Sequence, residues 1–161
     1  MFEFHRDTDR GVSIAITHVL TLGITAILIS GLLISSATLL DAQQDRSAEQ
    51  SLETIGERLA GEISSVERLG ADGESDTTVR LTVEHPSMVA SQRYTVSLHD
   101  SCGEAPLITE DTGCLQLATN DGDVDVYVPL TAEEIGGESE VSGGTITIIY
   151  DEDGLSLEEG R

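Results

Sequence analysis

The feature that most constrains this chain is an apolar stretch near its beginning. Thirty consecutive residues, 11–40, contain no Asp, Glu, Lys or Arg. As an α-helix the stretch would be about 45 Å long at roughly 1.5 Å per residue. The hydrocarbon layer of a bilayer is only about 30 Å thick. The stretch is therefore predicted to be a membrane segment, and its flanks decide which kind.

The rest of the chain is strongly acidic. The 161 residues include 30 acidic side chains and 8 basic ones, all Arg, for a net charge of −22. Such a surface disfavours nucleic acid, whose binding needs Lys and Arg, and it is repelled by anionic lipid headgroups. Repulsion among carboxylates is screened at high salt. An acidic, lysine-free chain with few aromatic residues resembles a haloarchaeal protein.

The flanks of the apolar stretch predict its orientation. Arg6 and Arg10 precede the stretch, and no Lys or Arg follows until Arg46. By the positive-inside rule, the N-terminus stays inside and the acidic domain, residues 71–161, lies outside. The apolar core is about twice the length of a secretory signal, and Ser35-Ser36-Ala37 is a poor cleavage site. A single-pass membrane protein is predicted.

The junction Arg10-Gly11-Val12-Ser13 places a basic and a small residue directly before the long helix. It resembles the class III leader of archaeal type IV pilins, and the opening from Val12 is similar to a family of small haloarchaeal pilin-like proteins. The resemblance covers about residues 9–69. It implies a leader, 1–11, removed by prepilin peptidase between Gly11 and Val12, and a filament-core helix, 12–40.

The same resemblance implies partners. These are the lipid bilayer, other pilin-like subunits, prepilin peptidase, an assembly ATPase and its membrane platform, in a filament at the cell surface. Ile16 stands where many bacterial pilins carry a glutamate that registers subunits, which favours a minor subunit and leaves the major role open. Any signal anchor could contain Arg-Gly by chance. The alternative is an uncleaved, membrane-anchored surface protein whose β domain binds a partner or ligand.

Polar and small residues follow two lines along the predicted helix. Ser13, Thr17, Thr21 and Thr25 recur every four residues, and the second line consists of Gly23, Gly31 and Ser35. Small residues let helices approach closely in lipid, and hydroxyls bond across helices or to their own backbone. Both lines are candidates for helix packing, although such residues are also simply tolerated in membrane helices. His18, beside the first line, is interpreted as a neutral packing residue.

The hydrophobic period continues beyond Asp41 as an amphipathic helix, residues 41–70. Its apolar residues recur at steps of three and four. They are Leu52, Ile55, Leu59, Ile63, Val66 and Leu69. Gly56 and Gly61 each weaken a helix by about 1 kcal/mol relative to Ala, and Gly70 and Gly73 suit its end. The apolar side of this helix needs a cover, which the C-terminal domain is expected to supply.

Beyond the helix the period falls to two, which is typical of half-buried antiparallel strands. In the first such segment the apolar face is Val79, Leu81 and Val83. About six strands are predicted, at 77–84, 93–99, near Leu115, and at 123–130, 145–150 and 154–159. The fold class is therefore α+β, with a long N-terminal helix and an antiparallel β domain. The β domain is expected to be one sheet packed on the helix, or a separate β-sandwich on a stalk.

The two cysteines, Cys102 and Cys114, are predicted to form a disulfide, because the domain is expected outside the cell. Closing that loop stabilises by about 3 kcal/mol on the chain-entropy estimate. A metal site using His99 is the less favoured alternative. The acidic turns at 120–125 and 151–153 could offer oxygens to Ca²⁺, but neither matches an EF-hand loop. They are interpreted as solvated turns.

No motif for catalysis is present. There is no phosphate-binding glycine loop, HExxH or GxSxG, and the histidines have no neighbouring nucleophile in a known signature. We therefore expect no catalytic residues, no metal and no cofactor. The sequence predicts a structural protein, with an anchored binding protein as the alternative.

Overall fold

A computed structural model describes residues 6–71, 77–103, 105, 112–132 and 134–160, with side chains from Ala15 onward. One long helix, α1 (Arg6–Ala71), is followed by seven strands. The strands are β1 (Val79–Glu84), β2 (Tyr94–His99), β3 (Cys114–Thr119), β4 (Asp125–Pro129), β5 (Ser139–Ser142), β6 (Thr145–Asp151) and β7 (Gly154–Glu159). The predicted α+β class, with a long N-terminal helix and antiparallel strands, is confirmed.

The chain divides between Gln43 and Gln44 into two compact units. In the first unit, every described side chain from Ala15 to Gln43 is exposed. The second unit contains the remainder of α1 and all seven strands. Among the described residues, none covers the apolar side chains of the first unit.

The second unit contains two antiparallel sheets. One has the order β1-β6-β7 and the other β4-β3-β2-β5. The edge strands β5 and β7 lie next to each other, and the Leu157 N–H donates a hydrogen bond to Ser139 Oγ at 3.1 Å. The expectation of one sheet is therefore wrong, because β7 and β5 contact each other through a side chain rather than a continuous backbone ladder. The strand missing from the prediction is β5, whose four residues include a single apolar one, Val141.

The apolar stripe of the second half of α1 is buried against both sheets. Leu52, Leu59 and Ile63 are fully buried in one cluster with side chains from strands of each sheet, among them Leu117 and Ile148. Burying a Leu or Ile side chain contributes about 1.5–3 kcal/mol. The stripe therefore joins the helix to the sheets, and the alternative of a separate β-sandwich on a stalk is wrong.

The last residue of the predicted stripe, Leu69, is 64% exposed. At 100° per residue, Leu69 lies about 100° away from Leu52 around the helix, whereas Gly70 is in phase with it. Gly70 accordingly contacts the ring of Tyr150. The stripe ends with a glycine because a step of four, not three, follows Val66.

Gly56 and Gly61, both inside this half of α1, have opposite surroundings. A Cβ atom at Gly56 would lie 2.7 Å from Val128 Cγ2 and 2.9 Å from Leu117 Cδ1, whereas Gly61 has no neighbour within 4 Å. Gly56 lets the helix backbone approach β3 and β4 closely. Gly61 has no such packing role.

Strand β1 is less buried than its alternating pattern predicted. Val79 and Val83 are half-buried, and Leu81 is 37% exposed. The reason is that β1 lies at the edge of its sheet, with β6 as its one hydrogen-bonded neighbour among the described strands. An alternating pattern identifies a strand but does not distinguish an edge strand from a central one.

Candidate functional site

The first candidate site is the exposed apolar segment of α1. By length and composition, the helix over Ala15–Ala71 contains a span able to cross a membrane, and none of that span is buried. A core helix of a soluble protein would instead be covered by its own chain. The segment could therefore span a membrane.

The predicted line of hydroxyls lies on this segment and bonds to the helix itself. Thr21 Oγ1 donates to the Thr17 carbonyl oxygen at 2.8 Å, and Thr25 Oγ1 donates to the Thr21 carbonyl oxygen at 2.8 Å. Ser30 repeats the pattern on Ala26. These donors are satisfied without a second helix, so their surface is less polar than the sequence indicates.

The second predicted line remains open to its surroundings. A Cβ atom at Gly23 or Gly31 would meet nothing within 4 Å, and Ser35 is exposed, as is His18. Ser13 lies in α1, but its side chain is outside the described residues. The described part of the first unit places no other element against either line.

The predicted processing site is described only by its backbone. Arg10, Gly11 and Val12 lie in α1, and their side chains are outside the described residues, as are residues 1–5 altogether. The geometry of a cleavage site is therefore not part of the described structure.

A second candidate site is a polar cavity on the outer side of the four-stranded sheet. Its volume is about 320 Å³, and its lining includes His99, Gln116, Tyr127 and Glu138. The first three come from neighbouring strands β2, β3 and β4, brought together by the register that pairs Ser97 with Gln116 and Gln116 with Tyr127. The cavity is therefore a product of sheet pairing.

The four side chains form a chain of polar contacts. Gln116 Nε2 donates to the Tyr127 hydroxyl at 2.9 Å, so Gln116 Oε1 is the acceptor for His99 Nε2 at 3.2 Å. His99 Nδ1 lies 3.5 Å from Glu138 Oε1. Both ring nitrogens thus face an amide and a carboxylate rather than a hydroxyl or thiol that they could activate. This arrangement is suited to hydrogen bonding with a polar ligand.

Cys102, one half of a disulfide, lines the cavity. Cys102 and Cys114 are bonded, with their Cα atoms 6.1 Å apart. Both are buried with Ala105, and the Tyr127 ring packs against this small cluster. A disulfide leaves no thiolate for a metal, so the alternative of a metal site on these cysteines is contradicted.

The acidic turns use their carboxylates for their own backbone. Asp121 Oδ1 accepts from the Asp123 N–H at 3.3 Å, and Asp151 Oδ1 accepts from the Asp153 N–H at 3.1 Å. These are turns in which an aspartate side chain accepts from the backbone two residues later. Turn formation accounts for both aspartates without a bound ion.

One polar cluster was missed by sequence reasoning. His85 is 6% exposed, and its Nε2 lies 3.1 Å from Glu62 Oε2, while Glu62 Oε1 accepts from Arg58 Nε at 3.1 Å. A signal was available, because His85 continues the alternation of Val79, Leu81 and Val83 and so faces inward. Its carboxylate partner, Glu62, comes from α1. The alternating pattern of β1 shows that His85 faces inward but does not indicate which helix residue it contacts.

No solved structure matches the chain. Residues 7–158 match DUF7266, which is described as a family of unknown function. Because this match covers nearly the whole sequence, the protein belongs to that family.

Proposed function

We propose that the protein is a pilin-like structural subunit, and a minor one, of a type IV pilus-like filament on the surface of a halophilic archaeon. The observation that carries the proposal is the division of one helix into an exposed apolar half and a half buried by its own sheets. The apolar half needs lipid or other helices as its surroundings. The other half is already part of a folded domain.

Moving the apolar half from lipid to a helix bundle costs little free energy, since both surroundings are apolar. The hydroxyls of Thr21 and Thr25 support the proposal because they are satisfied within the helix. They need no lipid headgroup or water before assembly and no specific acceptor afterwards. The open surface at Gly23 and Gly31 leaves room for close approach by a neighbouring helix.

In this proposal prepilin peptidase removes residues 1–11 on the cytoplasmic side, and Val12 becomes the first residue. An assembly ATPase and its membrane platform then drive subunits from the bilayer into the filament. The acidic domain faces the solvent, where high salt screens its carboxylates. The protein has no catalytic role in this proposal.

The test is the first residue of the mature protein. Mass spectrometry of the membrane and filament fractions should find a chain that begins at Val12, and deleting prepilin peptidase should leave the leader attached. Arg10→Ala should slow cleavage, whereas Arg46→Ala, beyond the apolar stretch, should not. An intact leader on the protein from wild-type cells would refute the proposal.

The alternative is an uncleaved surface protein, anchored by α1, whose β domain binds a ligand. The cavity at His99, Gln116 and Tyr127 favours it, because three polar side chains converge there. A polar ligand with several hydroxyl or amide groups would suit that lining. An intact leader together with ligand binding that is lost in Gln116→Ala would support this alternative over the filament.

A further inference from the structure

The open side of strand β1 presents backbone groups to solvent. β1 pairs with β6 and has no second neighbour among the described strands. Arg80, Leu81, Thr82 and Glu84 are all exposed. An edge strand of this kind is a template for pairing with another strand.

The residues that face the open edge can be identified from one hydrogen bond. The His85 N–H donates to the Gly144 carbonyl oxygen at 3.0 Å, which is toward the β6 side. Backbone direction alternates along an extended strand. Arg80, Thr82 and Glu84 therefore direct their N–H and C=O groups away from β6. The Thr82 and Thr147 hydroxyls are 3.0 Å apart. This short distance supports the assignment, since side chains approach most closely in non-hydrogen-bonded pairs.

The other sheet edges are blocked. β5 and β7 lie against each other through Ser139 and Leu157. On the far side, β4 ends in Pro129, which has no N–H to donate. Proline is a usual means of protecting an edge. β1 contains no proline or glycine, so it is the described edge best suited to pairing.

We propose that β1 pairs in antiparallel register with β1 of a second copy of the protein. A two-fold axis at Thr82 places Thr82 opposite the partner subunit's Thr82. Arg80 then lies opposite the partner subunit's Glu84, and Glu84 lies opposite the partner subunit's Arg80. The two three-stranded sheets become one six-stranded sheet, and the contact closes as a symmetric dimer rather than an open chain.

The charges select this register. A shift of the pairing that preserves the faces puts Arg80 opposite the partner subunit's Thr82 in one direction and opposite the partner subunit's Pro86 in the other, and both shifts leave the two ion pairs unmade. Two copies that each carry a net charge of −22 repel one another, so local pairing of opposite charges is needed for contact. Arg80 is available, because its bond to Glu158 is long, at 3.5 Å, and both side chains are more than half exposed.

The inner face of the strand is complementary as well. In the same register, Leu81 lies opposite the partner subunit's Val83. After α1, Leu81 and Met88 are the large hydrophobic side chains of the described residues that are exposed. Pairing would cover Leu81 and extend the apolar face of the sheet. Opposite-charge and apolar cross-strand pairs both stabilise the pairing of antiparallel strands.

The pairing goes beyond the proposed function and does not depend on it. A single strand pair is a small interface, so it needs the high local concentration of a membrane or a filament surface. On filaments, it would join neighbouring filaments side by side. On an anchored protein, it would join two anchors.

The first test is cross-linking of the full chain with Thr82→Cys in phosphatidylcholine vesicles at high salt. A short bis-maleimide should join Cys side chains across the two-fold axis, while the disulfide keeps Cys102 and Cys114 unreactive. The matched control is Asp125→Cys, an exposed position on the β4 edge. The proposal is overturned if the two variants give the same yield of dimer, because helix contacts alone would produce that result.

The second test exchanges the charges in the Thr82→Cys background. Arg80→Glu or Glu84→Arg alone places like charges opposite each other twice and should lower the dimer yield about tenfold. Mixing these two variants, one carrying a longer tag, should restore cross-linking between unlike chains. The double variant should restore it between like chains, and Arg93→Glu should have no effect. Failure of both rescues would overturn the proposal, as would single variants that cross-link normally.

Discussion

At the scale of single residues, Tyr94 shows how one side chain can be held by several elements. It is 1% exposed, its hydroxyl donates to the Pro86 carbonyl oxygen at 2.7 Å, and its ring lies against Gly143. Burial disfavours the charged phenolate and raises the pKa of Tyr94 to about 12. Any side chain at Gly143 would collide with the ring, so the two positions are coupled.

The raised pKa predicts how stability changes at alkaline pH. Below about pH 10, Tyr94 is protonated in both the folded and the unfolded chain. Between about pH 10 and 12, only the unfolded chain loses the proton, so the free energy of unfolding should fall as pH rises. Tyr150 adds to this fall, because burial and the Glu134 carboxylate raise its pKa too.

Absorbance at 295 nm and urea unfolding at several pH values measure this effect. Tyr94→Phe should remove the ionisation near pH 12 and make the stability decline less steep, at a cost of about 1 kcal/mol for the lost hydrogen bond. Tyr150→Phe is the control, since it should leave the ionisation of Tyr94 in place. A tyrosine titration that is complete well below pH 12 would contradict the assignment.

At the scale of elements, Gly56 and Gly61 of α1 make a matched pair. Gly56→Ala should destabilise the protein by about 1–3 kcal/mol, because the new methyl group would overlap Val128 and Leu117. Gly61→Ala should stabilise it by about 1 kcal/mol, because Ala is the better helix former and nothing lies within 4 Å. Thermal unfolding of the full chain in detergent measures both. Equal effects would mean that helix propensity alone decides, and that the close contact at Gly56 does not exist.

The elements themselves were largely predictable from the sequence. Six of the seven strands follow from an alternating pattern, and the buried stripe of α1 follows from its steps of three and four. β5 has no such pattern, because only Val141 faces inward. Leu69 was misplaced because a spacing of three also fits a helix, and only the packed sheet shows that Gly70 completes the stripe.

The polar cavity was not predictable in the same way. His99 was noted as a possible metal ligand, but Gln116 and Tyr127 carry no signal of their own in the sequence. They meet His99 because of the register of three strands. Register depends on the whole sheet, so a local pattern does not reveal which outward-facing residues become neighbours.

At the scale of the whole molecule, charge is the dominant property. The carboxylates that give the 161 residues a net charge of −22 repel one another in the folded state. The distance over which this repulsion acts falls from about 10 Å at 0.1 M salt to about 3 Å at 1 M. The free energy of unfolding should therefore rise as KCl is increased from about 0.1 M to 1 M. Urea unfolding in detergent measures it, with sucrose at matched osmolality as the control. A stability that is independent of KCl would show that the carboxylates are already neutralised by their local partners.

Thr21 and Thr25 donate their hydroxyl hydrogen bonds to their own helix. These hydroxyls therefore offer a neighbouring helix no free donor by which it could recognise this chain. Recognition between chains then falls to the folded domain, where charges and strand edges differ from place to place. Exchanging the apolar segment for that of another family member should leave the choice of partner unchanged, whereas exchanging the domain should change it.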